Sequence, residues 1–151
     1  MTAEPMEHPG ITTPAYHVNA FLAPLLDLAN NGSPGFNGKI QSESRVKWLG
    51  GDEANGPWIY WVERSAGELI KAHRHKGGRV EFIVRGAIDW YEGDEAVEWG
   101  RAGYPEGGGR RYETGSLTWV PAGTVYGYRI VEDTDVLLWF DGHPRGTEWA
   151  L

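Results

Sequence analysis

From Lys39 to Phe140 the chain is a succession of short aromatic and β-branched runs, each cut off by a turn signal. Trp58 to Arg64 (WIYWVER), Leu69 to His75, Val80 to Arg85 (VEFIVR) and Ala87 to Tyr91 (AIDWY) are such runs. Leu117 to Val120, Val125 to Val131 and Val136 to Phe140 complete the series, and Lys39 to Leu49 alternates weakly before it. The interruptions are GGDEANGP at 50–57, Gly86 as a turn, and EDTD at 132–135. Twenty-two glycines and nine prolines supply the turns that so many short strands need. Many short strands with little helix indicate a closed or double-sheet β architecture.

The flanks differ. Residues 1–16 are rich in Pro, Glu and Thr and read as a flexible arm. Residues 18–30 (VNAFLAPLLDLAN) cluster apolar side chains into a short helix that Pro24 interrupts, and NNGSPGFNG at 30–38 is loop. This divides the chain into an N-terminal arm and short helix, 1–35, and a β-domain, 36–151, within the size of one domain. Glu92 to Arg111 is polar and glycine-laden and reads as a long loop, with room for a hairpin, of the kind that forms lids or substrate walls.

A net charge of −7, with Arg110–Arg111 as the only basic grouping, argues against a nucleic-acid surface. The absence of cysteine excludes disulfides and thiolate metal sites. No apolar leader and no membrane-length apolar run is visible, so no membrane association and cytoplasmic residence are expected. Eight Trp and seven Tyr exceed what a small core requires and either line a ligand pocket or pack between sheets and subunits.

The chemistry concentrates in GELIKAHRHKGGRVEFIVRG, residues 67–86. His73 and His75 are one residue apart on a strand and project from the same face, so both imidazoles can reach one metal ion. Glu81, in the next run, offers a carboxylate, or it pairs with Arg79 or Arg85. Two imidazoles and a carboxylate form the ligand set that holds Fe(II) facially with positions open for substrate and oxygen.

These residues resemble the cupin superfamily. Its first motif places a glycine, five residues, His-x-His, a glutamate and a closing glycine in order, and here Gly67, His73, His75, Glu81 and Gly86 take those places. Its second runs glycine, five residues, Pro-x-Gly, two residues and histidine, and Gly115, Pro121 and Gly123 keep that spacing. The resemblance spans roughly residues 36–142. It implies an all-β fold, a double-stranded β-helix or jelly-roll barrel, with the arm and short helix in front of it. It implies a divalent metal, Fe(II) first and Zn, Mn or Ni as alternatives, on His73, His75 and Glu81. It also implies a homodimer, with Phe21–Leu28 as the segment covering an exposed strand edge.

Two places depart from the family pattern. The position seven before the closing glycine, where most cupins carry the glutamate, is Arg79, and Glu81 lies about 7 Å further along the strand. The histidine of the second motif is Tyr126, which hydrogen-bonds substrate, donates a proton or fills the histidine's volume. Tyr128, Trp119, Arg79 and Glu92 are the further pocket candidates. Trp61, Phe82, Trp90 and Trp139 are core, while His8, His17 and His143 lie in the arm or beyond the last strand.

A weaker resemblance links HRHKGGRVEFIVRGAIDWYE to cupin dioxygenases that cleave diketones and hydroxyketones, with Glu92 standing where an acid follows the next strand. The leading expectation is therefore a metal-dependent oxidoreductase that oxidises or cleaves a small aromatic or diketone-like substrate with oxygen. The alternatives are a redox-neutral isomerase, cyclase or dehydratase, and a non-catalytic ligand-binding protein with a degenerate metal site.

Overall fold

Two strands are far longer than any run in the sequence suggests, and they organise everything else. The computed structural model describes residues 18–25, 45–51 and 57–141, and the backbone of 148–149. Within these, the order is β1 (Arg45–Gly51), β2 (Trp58–Arg64), β3 (Leu69–Arg74), β4 (Arg79–Glu92), α1 (Gly93–Ala102), β5 (Arg110–Glu113), β6 (Leu117–Val120), β7 (Tyr126–Phe140) and β8 (Glu148–Trp149). β4 has 14 residues and β7 has 15, and they pair antiparallel along their whole length.

Each long strand belongs to two leaves of one continuous sheet. The C-terminal half of β7 pairs with β2, which pairs with β1, while the N-terminal half of β4 pairs with β6. The other halves carry β3 and β8 on one side and β5 on the other. The leaves pack face to face, since Ile83 and Val120 of one meet Ile70, Ile88, Trp90, Tyr126, Tyr128 and Ile130 of the other in a single buried cluster. A second cluster fills the β1–β2–β7 side with Val46, Trp58, Tyr60, Val62, Val136, Leu138 and Phe140. The result is an antiparallel jelly roll, as the punctuated strand pattern implied.

The two turns expected at Gly86 and at EDTD are not turns. The β4–β7 ladder shifts register three times between Ile83 and Ile88, and both strands bend there without breaking. Gly86 sits at the bend with φ +100°, where an added Cβ would lie 2.3 Å from the Thr134 hydroxyl. The Thr134 hydroxyl accepts the Ala87 N–H at 3.1 Å, so the ladder stays satisfied through the shift. Turn-forming residues bend a long strand here because side-chain hydroxyls supply the missing acceptors.

The long loop expected over 92–111 is instead α1 followed by β5. Asp94 and Glu95 in its first turn and Arg101 in its last complement the helix dipole, and Gly103 ends it at φ +82°. Ala96 packs in a buried cluster with Ala72 and the stacked rings of Tyr91 and Tyr104. The 103–109 return is tied down by buried Asp89, which accepts from Gly107 N at 2.7 Å and Arg111 Nε at 2.6 Å. Burial would raise the Asp89 carboxyl, but Arg111 and the Gly107 amide outweigh it and hold it below the usual range.

Of the expected helix at 18–30, residues 18–25 form a hydrogen-bonded turn on Asn19, and the remainder lies outside the described residues. Phe21 of that turn packs edge-on against Trp61 at 5.1 Å, and Lys47 Nζ donates to the Ala20 and Phe21 carbonyls. No helix among the described residues is long and apolar enough to cross a membrane.

Candidate functional site

The two sequence motifs meet at the end of β3. Gly123 N donates to the His75 carbonyl at 2.8 Å, and His73 is the ladder partner of Tyr126. The ladder is irregular between Ile70 and His73, and beyond it His73 in β3 and His75 just after its end both lie against Tyr126. Their rings stand edge to face with centroids 4.9 Å apart. Tyr126 lies 4.5 Å from His73 and stacks on Trp90 at 4.5 Å, and Trp90 in turn stacks on Tyr128 at 5.7 Å.

Arg79 occupies the middle of this cluster. Its Nη1 donates to His75 Nε2 at 2.8 Å, and its Nη2 donates to the Glu81 carboxylate. The guanidinium carbon rests 4.5 Å above the Tyr126 ring and 5.5 Å from Phe140. Arg79 is only 4% exposed, and its Nε is buried without a hydrogen-bond partner among the described residues. The first residue of β4 thus projects its charge into the interior, where Glu81, two residues on and equally buried, balances it.

Both imidazoles are neutral. His73 Nδ1–H donates to the Lys71 carbonyl at 2.7 Å, which leaves Nε2 as the lone-pair nitrogen. Burial and then the Arg79 charge bring His73 down to about 3. Burial, Arg79 and His73 push His75 down further still. Because a guanidinium only donates, His75 Nε2 is an acceptor, and the Tyr126 hydroxyl stands 3.1 Å from the same atom. Burial raises Tyr126 above the ordinary phenol value and keeps its proton in place, despite the opposing charge of Arg79.

The sequence-expected metal set of His73, His75 and Glu81 does not fit this arrangement. The His75 lone pair and the Glu81 carboxylate that would bind the ion are both held by Arg79. A divalent ion beside a buried guanidinium would meet like charge in a medium of low dielectric. Among the described residues no group of three or more His, Cys, Asp or Glu is placed to hold a metal. The site brings together two neutral imidazoles, one phenol, one carboxylate and one guanidinium, a set suited to moving protons and holding an oxyanion.

The other candidates fall at different distances from this centre. Tyr128 is buried in the aromatic stack. Glu92 is exposed and accepts from the Trp90 indole at 2.7 Å. Together with Glu95, Gly108, Gly109 and Arg110 it lines a cavity of about 220 Å³ whose wall is Trp90. Trp119 is 53% exposed beside exposed Leu117, on the face of β6 opposite buried Val120. The ring covers Gly78 from outside rather than lining the interior. His8, His17 and His143 lie outside the described residues.

Phe140 was legible only as a strand residue. Its place against Arg79 comes from the β4–β7 register, and its ring meets His75 edge-on at 5.5 Å. Trp90, assigned to the core, is also the ring that carries Tyr126.

Neither a protein-family model nor a curated protein matches the sequence. Solved structures do match in fold. The polyketide cyclase RemF from Streptomyces resistomycificus superposes with a TM-score of 0.61 at 12% identity, over 91% of this chain and 86% of that one. An RmlC-like cupin from Ralstonia eutropha gives 0.58 at 17% identity, over 84% of this chain and 68% of that one. An RmlC-like cupin from Shewanella frigidimarina gives 0.57 at 13% identity, over 87% and 93%. The architecture is the double-stranded β-helix of cupins, and the cupin-fold neighbours include enzymes.

Proposed function

We propose that this cupin-fold chain is a small-molecule enzyme of redox-neutral acid–base chemistry: isomerisation, cyclisation or dehydration at a carbonyl of an apolar or aromatic substrate. The observation that carries it is the buried Arg79 guanidinium, bonded to His75 Nε2 and Glu81 and stacked over Tyr126. It supplies a fixed positive charge where an enolate oxygen would develop, with its Nε as a donor left over.

The residues divide the work as follows. The substrate oxygen accepts from Arg79 and from the Tyr126 hydroxyl. When Nη1 of the guanidinium turns from His75 to the substrate oxygen, the Nε2 lone pair is released and takes the proton from the carbon next to the carbonyl, and the electron pair moves onto the oxygen. Burial first and the Arg79 charge second make this imidazole a weak base in the resting site, and negative charge forming on the substrate offsets the second of these. Returning the proton to a different carbon isomerises the substrate. Delivery of the Tyr126 proton to a leaving hydroxyl instead dehydrates it. Trp90, which stacks on Tyr126 and Tyr128 and lines the cavity of about 220 Å³, suits a flat, aromatic body. The fold likeness to a polyketide cyclase agrees with such a substrate, although this reading stands on the cluster.

Turnover should be sought with a panel of aromatic ketones, hydroxyketones and diketones, with oxygen uptake followed in parallel. The expected result is product without oxygen consumption, unaffected by chelator, and reduced by about 10²–10⁴-fold in His75→Ala and Tyr126→Phe. Oxygen uptake tied to turnover, or loss on chelation, would favour the metal-dependent oxidative reading instead. Ligand-induced thermal stabilisation without turnover would mark a binding protein.

A further inference from the structure

We infer that the Arg79 guanidinium is the resident cation of this site, standing in the place between His75 and Glu81 that a divalent metal would need. The inference concerns metal affinity and holds whether or not the chain is an enzyme.

Three independent contacts define that place. On one side is the Nε2 of His75, the nitrogen bonded to Arg79 and the one a metal would use. On the second is the Glu81 carboxylate, buried and facing inward. The third side is the Tyr126 ring, whose π face lies 4.5 Å from the guanidinium carbon, with Phe140 beyond it at 5.5 Å. Aromatic faces attract a guanidinium but give a divalent ion no lone pair. The cluster is therefore complementary to a planar, delocalised monocation and has lost complementarity to a small divalent one.

The chain itself supplies this charge. Arg79 is the first residue of β4, anchored on both edges by Val120 and Phe140, so its backbone cannot retreat. A tethered guanidinium is present at unit occupancy and needs no uptake from solution. Its removal should uncover what the imidazole pair would otherwise do. Arg79→Glu replaces the charge with a third donor beside two rings whose centroids are 4.9 Å apart.

The test is metal content by elemental analysis after separate loading with Mn, Fe(II), Ni and Zn and then desalting, with fold checked by near-UV circular dichroism. Wild type should retain no stoichiometric metal. Arg79→Glu should retain one ion per chain, and adding His75→Ala should abolish it. Should Arg79→Glu fail to fold, Arg79→Gln carries the test, and metal uptake relative to wild type is the expected result. A stoichiometric ion on wild type that disappears in His73→Ala or His75→Ala would overturn the inference. So would folded Arg79 variants that bind no more metal than wild type.

Discussion

His73 illustrates how a single buried side chain ties the site to stability. Burial and Arg79 bring it to about 3, from 6.5 for a free imidazole, with the Lys71 carbonyl opposing them. Between those two values the folded protein holds the ring neutral while the unfolded chain binds a proton. The stability this residue confers is therefore complete above about pH 6.5 and is lost as pH falls toward 3, at about 1.4 kcal/mol per pH unit. His75 acts in the same sense. Urea unfolding should thus show stability declining from pH 7 to pH 4, and His73→Gln should remove about one proton's share of that slope. An identical slope in the variant would rule this account out. The imidazole pair was legible because His-x-His puts two side chains on one strand face. Arg79 was legible as an anomaly, a cation at a usual carboxylate position. Its embrace of His75, Glu81 and Tyr126 was not, because that depends on where β4 begins against β7.

At the level of elements, the strands whose apolar pattern is self-contained were readable: β2 and β6 occupy the residues expected of them. The failures share one cause, since glycine and small polar residues signal a break in chain direction but do not say how large a break. At Gly86 it is a bend within β4. Alanine there would need φ near +100° and would drive its Cβ to 2.3 Å from the Thr134 hydroxyl and 2.5 Å from the Asp133 carbonyl. Gly86→Ala should therefore cost on the order of 3 kcal/mol, measurable as a lowered urea midpoint. A cost below about 0.5 kcal/mol would mean the bend is not held by this contact. In α1 the misleading residues were the flanking glycines. Gly93 and Gly103 both take positive φ and mark the helix's ends, while Ala96, packed with Ala72, Tyr91 and Tyr104, gives it its one buried anchor.

For the molecule as a whole, the two long strands make the leaves inseparable. β4 and β7 contribute half their length to each, so neither leaf can lose its centre while the other keeps its own. Unfolding should be all-or-none, in contrast to two sheets joined only by loops. Tryptophans report on each leaf separately: Trp58 is buried opposite Phe140 in one, and Trp90 is buried opposite Tyr128 in the other. Fluorescence transitions of Trp58→Phe and Trp90→Phe, each normalised to its own stability, should coincide with far-UV circular dichroism. Separate transitions would show that the bend at Gly86 uncouples the leaves. Because β2 must find β7 across most of the chain, folding should fall in the millisecond-to-second range typical of non-local β topologies. The same coupling bears on the site. Arg79 and Phe140 come from one leaf and His73 and Tyr126 from the other, so the cluster forms only when both leaves are in place. Loss of the cooperative transition and loss of the His73 contribution to pH-dependent stability should then occur together.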